Sequence, residues 1–486
     1  MRKIRYRRLV TSPSTEAKER FTATRRAHWD FVHRSAARGL GGAYHRRLEQ
    51  VYRIIVLPGL SVLELGCGEG DLLAALSPSR GVGVDFSPAG CAAARRRHPE
   101  LTILEADASD LSSVDGPFDV VILSDLLNDV WDVQQILEQV RRISTPRTRI
   151  VVNGYSLLWE LPLRAARSLG LTRPNLAQNW LTVGDIEGLL ALAGFEIVRT
   201  WPEVLFPFPV PFLAPFANRF LVRLWPLRHL ALTNFVLARP AAAPAAAEPL
   251  VSVVVPARNE AGNIAAILDR TPEMGRGTEI VFVEGHSTDG TWEAIERERA
   301  LRPRRRTAAF RQEGMGKGDA VRLGFERAGG DVLMILDADL TVPPEDLPRF
   351  YEVLRSGKGE FVHGVRFVYP MEDRAMRPAN LLGNKLFGLA FTWLLDQKVR
   401  DTLCGTKVLW KRDYARIAMA RPLFGGLDPF GDFDLLFGAA RCGLRIAEVP
   451  VRYRDRIYGT TNIRRWSHGA LLLRMVLVAA FRLKFV

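Results

Sequence analysis

Cysteine is scarce in this chain. Cys67, Cys91, Cys404 and Cys442 are the four in 486 residues, and no two of them form a C-x-x-C pair. That excludes a zinc-ribbon module and a disulfide framework, and it fits a reducing compartment. Lysine is nearly as scarce: nine of the 67 basic residues are Lys and the rest Arg, and against 53 acids they leave a formal net charge of +14. Long apolar runs are missing as well. No stretch reaches the roughly 18 uncharged apolar residues of a membrane-spanning helix. The nearest, ALLLRMVLVAAFRLKFV at the C-terminus, is broken by Arg474, Arg482 and Lys484. The basic N-terminal arm lacks the apolar core, roughly 7–15 residues long, of a secretory signal.

What is present is the composition of a folded protein, 48% apolar and 25% charged, which excludes a mostly disordered chain. At roughly 150 residues per domain the length predicts two or three domains. The basic surplus leaves nucleic acid, anionic membrane or phosphorylated small substrates as partner classes. One segment, residues 239–249 (RPAAAPAAAEP), alternates Pro and Ala without a hydrophobic period, which predicts an extended spacer. On either side of it strand–helix alternation starts afresh, at VLELGCGEG (62–70) and at VSVVVPARNE (251–260). Two different α/β domains are therefore expected, 1–238 and 250–486.

In the first half, a run of β-formers leads into three alternate glycines, Gly66, Gly68 and Gly70, and then into a helical pattern. Glycine lets the backbone turn tightly at a strand's carboxyl end, where a ligand can approach closely. A second strand ends in Asp85, an acid suited to a ribose diol, and a third runs to Asp107. A fourth strand spans 118–127, and Ser124, Asp125 and Asn128 stand at its end. The order and spacing resemble class I S-adenosylmethionine-dependent methyltransferases, over roughly residues 40–200. The resemblance implies a Rossmann-like fold and S-adenosylmethionine as cofactor, held by Glu64, Gly66, Gly68, Gly70, Asp85 and Asp107. It also sets Ser124, Asp125 and Asn128 near the methyl acceptor, with His28 and Trp29 as candidates to cover the cofactor.

In the second half, a buried strand ends in Pro256-x-Arg258-Asn259-Glu260. A second strand ends at Glu284 and opens a polar turn through Asp289; Gly316-Lys317-Gly318 follows, and a third strand ends in Asp337-Ala338-Asp339. Two carboxylates one residue apart at a strand's carboxyl end make an oxygen site for Mg²⁺ or Mn²⁺. The four ordered motifs, over about 250–460, resemble glycosyltransferase family 2, and within it the polyprenyl-phosphate transferases of dolichol-phosphate mannose synthase type. The resemblance implies a GT-A fold and a nucleotide-sugar site of Pro256, Arg258, Asn259, Glu260, Glu284, Asp289, Lys317, Asp337 and Asp339. It implies metal on Asp337 and Asp339, and acceptor phosphate met by Arg366, Arg377 and Arg456. One departure stands out: Glu284-Gly285 replaces the family's pair of acids, which leaves the nucleobase open.

Two acceptors follow from this site. A polyprenyl phosphate is already ionised and needs cations rather than a base. A hydroxyl needs a base, for which Asp432 in FGDFDLL is the candidate, with a helix N-cap as its plain alternative. The catalytic set is then Asp432, Asp339 and Lys317. Asn462-Ile-Arg-Arg-Trp466 faintly echoes the Q-x-x-R-W of processive polysaccharide synthases, but without the Gln or the membrane helices of that group.

Two segments suit a lipid surface. Residues 201–238 combine Pro, Phe and Trp with Arg, as a bilayer interface or a loop folded on its own domain would. In the C-terminal tail Leu471, Leu472, Met475, Val478 and Ala479 recur at helical spacing, as an amphipathic anchor or ordinary core packing would. The basic clusters at 2–8, 95–97 and 302–306 carry a single aromatic, Tyr6, and no recognition-helix motif, so no nucleic-acid partner is expected. The expected enzyme is a bifunctional transferase attached peripherally to the cytoplasmic face of an anionic membrane.

Overall fold

The computed structural model describes residues 13–34, 41–168, 176–369, 378–420, 431–454, 456, 458 and 465–485. The chain divides into two units, Met1–Ala241 and Ala242–Val486.

The first unit is built on seven strands: β1 Ser61–Leu65, β2 Arg80–Asp85, β3 Thr102–Glu105, β4 Val120–Ser124, β5 Arg149–Tyr155, β6 Phe195–Glu203 and β7 Thr233–Pro240. They lie in the order β3-β2-β1-β4-β5-β7-β6. β1 to β5 are parallel, and β7 runs antiparallel to both neighbours. Buried on both faces, β4 reads as an apolar run to its last residue, and β1 is apolar but for Ser61 and the buried Glu64. Helices Gly41–Ile55 and Pro88–Arg97 pack on one face of the sheet, Val133–Arg142 and Val183–Leu192 on the other. The order reverses at β1/β4, so ligands are expected there, beyond the carboxyl ends. This is the Rossmann-like methyltransferase topology anticipated from the motifs. The strands are shorter than their apolar runs, because β1 stops where the glycine turn begins.

The second unit carries β8 Val251–Ala257, β9 Thr278–Glu284, β10 Thr307–Arg311, β11 Val332–Ile335, β12 Phe361–Val365, β13 Lys407–Trp410 and β14 Ile446–Pro450. Their order is β10-β9-β8-β11-β13-β12-β14. β8 to β11 are parallel, β13 is antiparallel to β11 and β12, and β14 runs parallel to β12. A parallel nucleotide-binding half followed by a mixed half is the GT-A arrangement.

Residues 239–249, the extended spacer of the sequence reading, are bonded at both ends. Arg239 and Pro240 complete β7, where Arg239 is buried on Glu196, and Ala241 N donates to Gly194 O at 2.8 Å. Within the second unit, Ala245 N donates to Arg355 O at 2.9 Å and the Tyr351 hydroxyl to Glu248, at the end of helix Leu347–Arg355. Side chains too small to build a core still leave backbone groups that must bond somewhere.

In the 201–238 segment the prolines confine regular helix to Leu213–Arg219 between β6 and β7. The tail forms helix Arg465–Ala479 and a π turn, Ala480–Lys484. Its Leu472, Met475 and Ala479 are buried, and Lys484 reaches Asp396 at 2.5 Å. The inward stripe is therefore packed on its own unit, while Leu473, Leu477 and Phe481 lie exposed. No helix among the described residues is long and apolar enough to cross a membrane.

Candidate functional site

In the first unit the glycine turn is strained in the way only glycine tolerates: Gly66, Gly68 and Gly70 have φ of 73°, 53° and 77°. A Cβ on Gly66 would come within 2.9 Å of Leu126, and one on Gly68 within 3.3 Å of the His33 ring. Asp85 fixes the turn, its two oxygens accepting from Gly68 N and Ser87 N at 2.8 Å each. Asp107 lies two residues past β3 and accepts from Ser109 N at 2.8 Å. Glu64 is buried, and burial, with Asp85 adding to it, pushes its carboxyl up to about 8. Its Oε2 has no hydrogen-bond partner. An orphaned acceptor near a cradle too tight for side chains fits S-adenosylmethionine, whose ammonium could satisfy it.

Helix Pro13–Arg34 is laid over this turn by residues the motifs did not reveal. Asp30 accepts from Ser87 Oγ at 2.5 Å and Ala89 N at 3.0 Å, and His33 lies against Gly68 and Gly90. Arg25 Nε and Trp29 Nε1 both bond Asp129, at 2.8 and 2.5 Å. His28 touches only the edge of the neighbouring Trp29 in ring contact, so of the two expected covering residues Trp29 is the one tied to the crevice. The signal was available: Arg25, Trp29 and His33 recur every fourth residue, on one face of a helix.

At the end of β4, Asp125 adopts a left-handed conformation, φ 54°. The Tyr44 hydroxyl donates to both its oxygens, at 3.0 and 3.1 Å, and Asn153 Nδ2 to Oδ1 at 2.7 Å. Burial pushes its carboxyl up to about 7. A strained, half-neutralised carboxylate at a strand's carboxyl end is a candidate base. Asn128 differs from expectation: it is buried, bonding Asn179 O and Tyr155 N, and serves the scaffold.

In the second unit the two nucleotide motifs lace two loops together. Asn259, at φ 57°, accepts from Thr288 N at 2.8 Å; Ala261 N donates to Asp289 at 3.2 Å and Glu260 N to Thr291 Oγ1 at 3.0 Å. Pro256 lies in β8, and Arg258 beyond it is exposed. Glu284 is buried and accepts from Ser287 N at 2.6 Å. At the position of the missing acid, a Cβ on Gly285 would stand 3.0 Å from Gln312 Oε1, so Gln312 fills that space.

The chemistry gathers past β11. Lys317 Nζ lies 2.6 Å from Asp337 Oδ1, and Arg456 Nη2 lies 2.6 Å from Asp339 Oδ2. Burial works against charge on both members of the first pair. Even so, Lys317 and Lys407 hold Asp337 below its ordinary range, and Asp337 with Asp432 holds Lys317 above its own. Burial pushes Glu260 up to about 7 against the pull of Arg456, 3.3 Å away. Among the described residues no third His, Cys, Asp or Glu completes a cluster around the two aspartates. Two carboxylates that already attract cations, with phosphates and water to finish the shell, still fit Mg²⁺ or Mn²⁺.

Three sequence expectations meet a different geometry here. Arg366 is buried in a two-pronged pair with Asp401, at 2.7 and 2.8 Å, so one edge of its guanidinium is already taken. Arg456 engages Asp339 and Glu260, where an acceptor-phosphate role had been expected of it. Asp432 is not an N-cap, which is Gly431; it is the first residue of helix Asp432–Arg441, 2.5 Å from the buried Lys407 Nζ. Arg377 and Asn462 lie outside the described residues. The loop of Leu403–Thr406, leading into β13, lies against this pair: a Cβ on Gly405 would fall 2.0 Å from Asp337 Oδ2 and 2.5 Å from Lys317 Nζ.

Comparison with known proteins gives both halves their class. Residues 252–416 match Glycosyl transferase family 2, and residues 62–147 match the Methyltransferase domain family. The chain is thus a methyltransferase-like domain fused to a family 2 glycosyltransferase domain that resembles polyprenyl-phosphate sugar transferases. It is similar to glycosyltransferase AglJ of Haloferax volcanii, 28% identical over 46% of this chain and 69% of that protein. It is also similar to dolichol-phosphate mannosyltransferase of Pyrococcus furiosus, 34% identical over 24% of this chain and 33% of the relative. A third relative is undecaprenyl-phosphate 4-deoxy-4-formamido-L-arabinose transferase of Pseudomonas aeruginosa, 37% identical over 24% and 34%. The chain thus spans about a third of the length of these last two relatives. Among solved structures, magnesium protoporphyrin IX methyltransferase from Synechocystis aligns with a TM-score of 0.33 and 18% identity, over 47% of this chain and 99% of that one. Glucosyl-3-phosphoglycerate synthase from Mycobacterium tuberculosis, in complex with Mn²⁺ and UDP, aligns with 0.36 and 20%, over 48% and 80%.

Proposed function

We propose that the second half transfers a sugar, with inversion, from a nucleoside diphosphate to a polyprenyl phosphate. The first half, on this reading, methylates a related glycan or lipid intermediate from S-adenosylmethionine. The state of Asp432 carries the choice of acceptor: its carboxylate is held at 2.5 Å by the buried Lys407 ammonium. That contact already occupies one of its oxygens, and an ionised phosphate acceptor needs no base. As the sugar leaves, negative charge grows on the departing diphosphate. Lys317 is positioned by Asp337 to meet that charge, and a divalent ion on Asp337 and Asp339 would supply further charge stabilisation there. Asn259, Glu260, Glu284 and Asp289 would shape the nucleotide pocket. Arg377 and the outer edge of Arg366 would draw the acceptor phosphate, and Arg456 would join them on leaving Asp339 and Glu260. In the first half, S-adenosylmethionine would supply an electrophilic methyl group, and Asp125 would take the proton from the acceptor.

A lipid acceptor brings the chain to the surface of an anionic membrane, at its cytoplasmic face, as a peripheral protein. The test is a screen of radiolabelled nucleotide sugars with a short polyprenyl phosphate, with and without Mg²⁺ or Mn²⁺. An acid-labile, lipid-extractable product is expected. Labelling of a soluble acceptor alone overturns the reading. Asp432→Asn should keep turnover on the phosphate within about tenfold, whereas loss of a general base costs roughly 10²–10⁴-fold. A loss of that size with donor binding intact would favour the hydroxyl acceptor.

A further inference from the structure

Beside the candidate methyl-transfer crevice lies a surface that the described residues of its own unit leave uncovered. Two segments leave the sheet at the same end, the one after β5 and the one joining β6 to β7, because Tyr155 pairs with Thr233 and Glu203 with Thr233 in the ladders. They are tied together: Ser156 N donates to Leu232 O at 2.7 Å, and Trp159 Nε1 to Leu230 O at 2.9 Å. Together they present large apolar side chains to solvent. Phe212 is 91% exposed, Trp225 80% and Leu161 72%, with Leu158, Phe216 and Leu230 more than half exposed. Phe212 is held in this position by a backbone at φ 61°, a conformation costly for an aromatic residue. Soluble surfaces rarely carry so many large apolar groups in one place without a partner.

The charges around them narrow the partner. Residues 204–232 contain no Asp or Glu, but they contain Arg219, Arg223, Arg228 and His229. Arg219 is exposed and Arg228 half-exposed, whereas Arg223 is buried on Glu203. A protein partner would tolerate mixed charge. The segment after β5 adds one acid, Glu160, paired with Arg164, so basic groups remain in excess. Apolar and aromatic groups that can enter an acyl boundary, with arginines in excess at headgroup level, match an anionic bilayer.

We propose that this rim, centred on Phe212 and Trp225, docks the methyltransferase half on an anionic membrane. The rim follows directly on Tyr155, whose ring lies 5.8 Å from that of Tyr44, the hydroxyl donor to Asp125. Docking there sets the candidate methyl-acceptor crevice beside the lipid surface. The proposal is separate from the sugar-transfer reading, and from any lipid contact of the C-terminal tail.

The test uses the full chain with Phe212→Cys, labelled with an environment-sensitive dye. The four native cysteines are buried, which confines the label to position 212. Vesicles of phosphatidylcholine mixed with phosphatidylglycerol should shift the dye emission to the blue, and bilayer-embedded nitroxide lipids should quench it. Arg219→Glu and Arg228→Glu should weaken binding by about fivefold or more for each charge lost. S-adenosylhomocysteine binding by calorimetry, unchanged in every variant, shows that the unit remains folded and that the cofactor reading stands. The proposal is overturned if vesicles bind the chain with no change at position 212. It is equally overturned if the dye is already shielded without vesicles, which would mean that protein covers the face.

Discussion

Gly405 shows how one hydrogen can separate stability from activity. Its Cβ would land 2.0 Å from Asp337 Oδ2 and 2.5 Å from Lys317 Nζ, both ends of side chains that can swing aside. Gly405→Ala should therefore fold with little change in Tm, yet break the Lys317–Asp337 pair proposed to meet the leaving diphosphate. Misplacing a reacting group by an ångström costs about 10²-fold, so kcat for sugar transfer should fall by about that factor with donor affinity less affected. Asp125 carries a prediction of opposite character. Because burial raises its carboxyl to about 7, the basic form is scarce below neutrality and dominant above it. Methyl transfer should accordingly rise with pH through about 7 and level off, and Asp125→Asn should remove that limb from the pH profile. The residues legible in the sequence were those whose chemistry sits in one contiguous motif, such as Glu64 on its glycine turn or Asp337 and Asp339. Tyr44, Gln312 and Lys407 were not, since each reaches its site from a distant part of the chain and no local spacing marks it.

At the scale of elements, hydrophobic periodicity identified the strands and the tail helix, but not which way the tail faced. An anchor stripe and a core stripe have the same spacing, and tertiary packing alone separates them. Leu472, Met475 and Ala479 face inward, while Leu473, Leu477 and Phe481 face solvent. Leu472→Ala should therefore cost about 2–5 kcal/mol, as large-to-small changes in a core do. Leu477→Ala should stay within about 0.5 kcal/mol. Denaturant titration of the two variants checks the orientation directly, and equal costs would contradict it. Helix Pro13–Arg34 had a legible face but not a legible role. Its helical character is local, but its role comes from Asp30 and His33 meeting a turn more than 30 residues away. Asp30→Ala removes acceptors from Ala89 N and Ser87 Oγ at the start of helix Pro88–Arg97. It should cost about 1 kcal/mol, in the manner of a lost N-cap, and should weaken S-adenosylhomocysteine binding in parallel.

At the scale of the molecule, the basic surplus that opened three classes of partner is shared evenly between the two units. Locally much of it is spent on carboxylates: Arg97 pairs with Glu69 and Asp71, Arg302 with Asp269 and Glu298, and Arg305 with Glu273. What remains distinctive is how differently the two units treat charge. The first keeps buried carboxyls half-neutral, with Glu64 raised to about 8 and Asp125 to about 7 by burial. The second holds Asp337 below its ordinary range beside Lys317 and Lys407, although burial raises Glu260 there to about 7. A divalent cation has reason to bind only where carboxylates stay ionised, so metal removal should divide the two activities. Exhaustive chelation should abolish sugar transfer and leave methyl transfer unchanged, with Mn²⁺ or Mg²⁺ restoring the former. In thermal unfolding, S-adenosylhomocysteine at about a hundred times its Kd should stabilise the first unit by about 2.7 kcal/mol whether or not metal is present. A nucleoside diphosphate should stabilise the second only with metal. If chelation instead lowered methyl transfer or S-adenosylhomocysteine affinity, the two sites would not be electrostatically independent, and the assignment of the metal to Asp337 and Asp339 alone would fail.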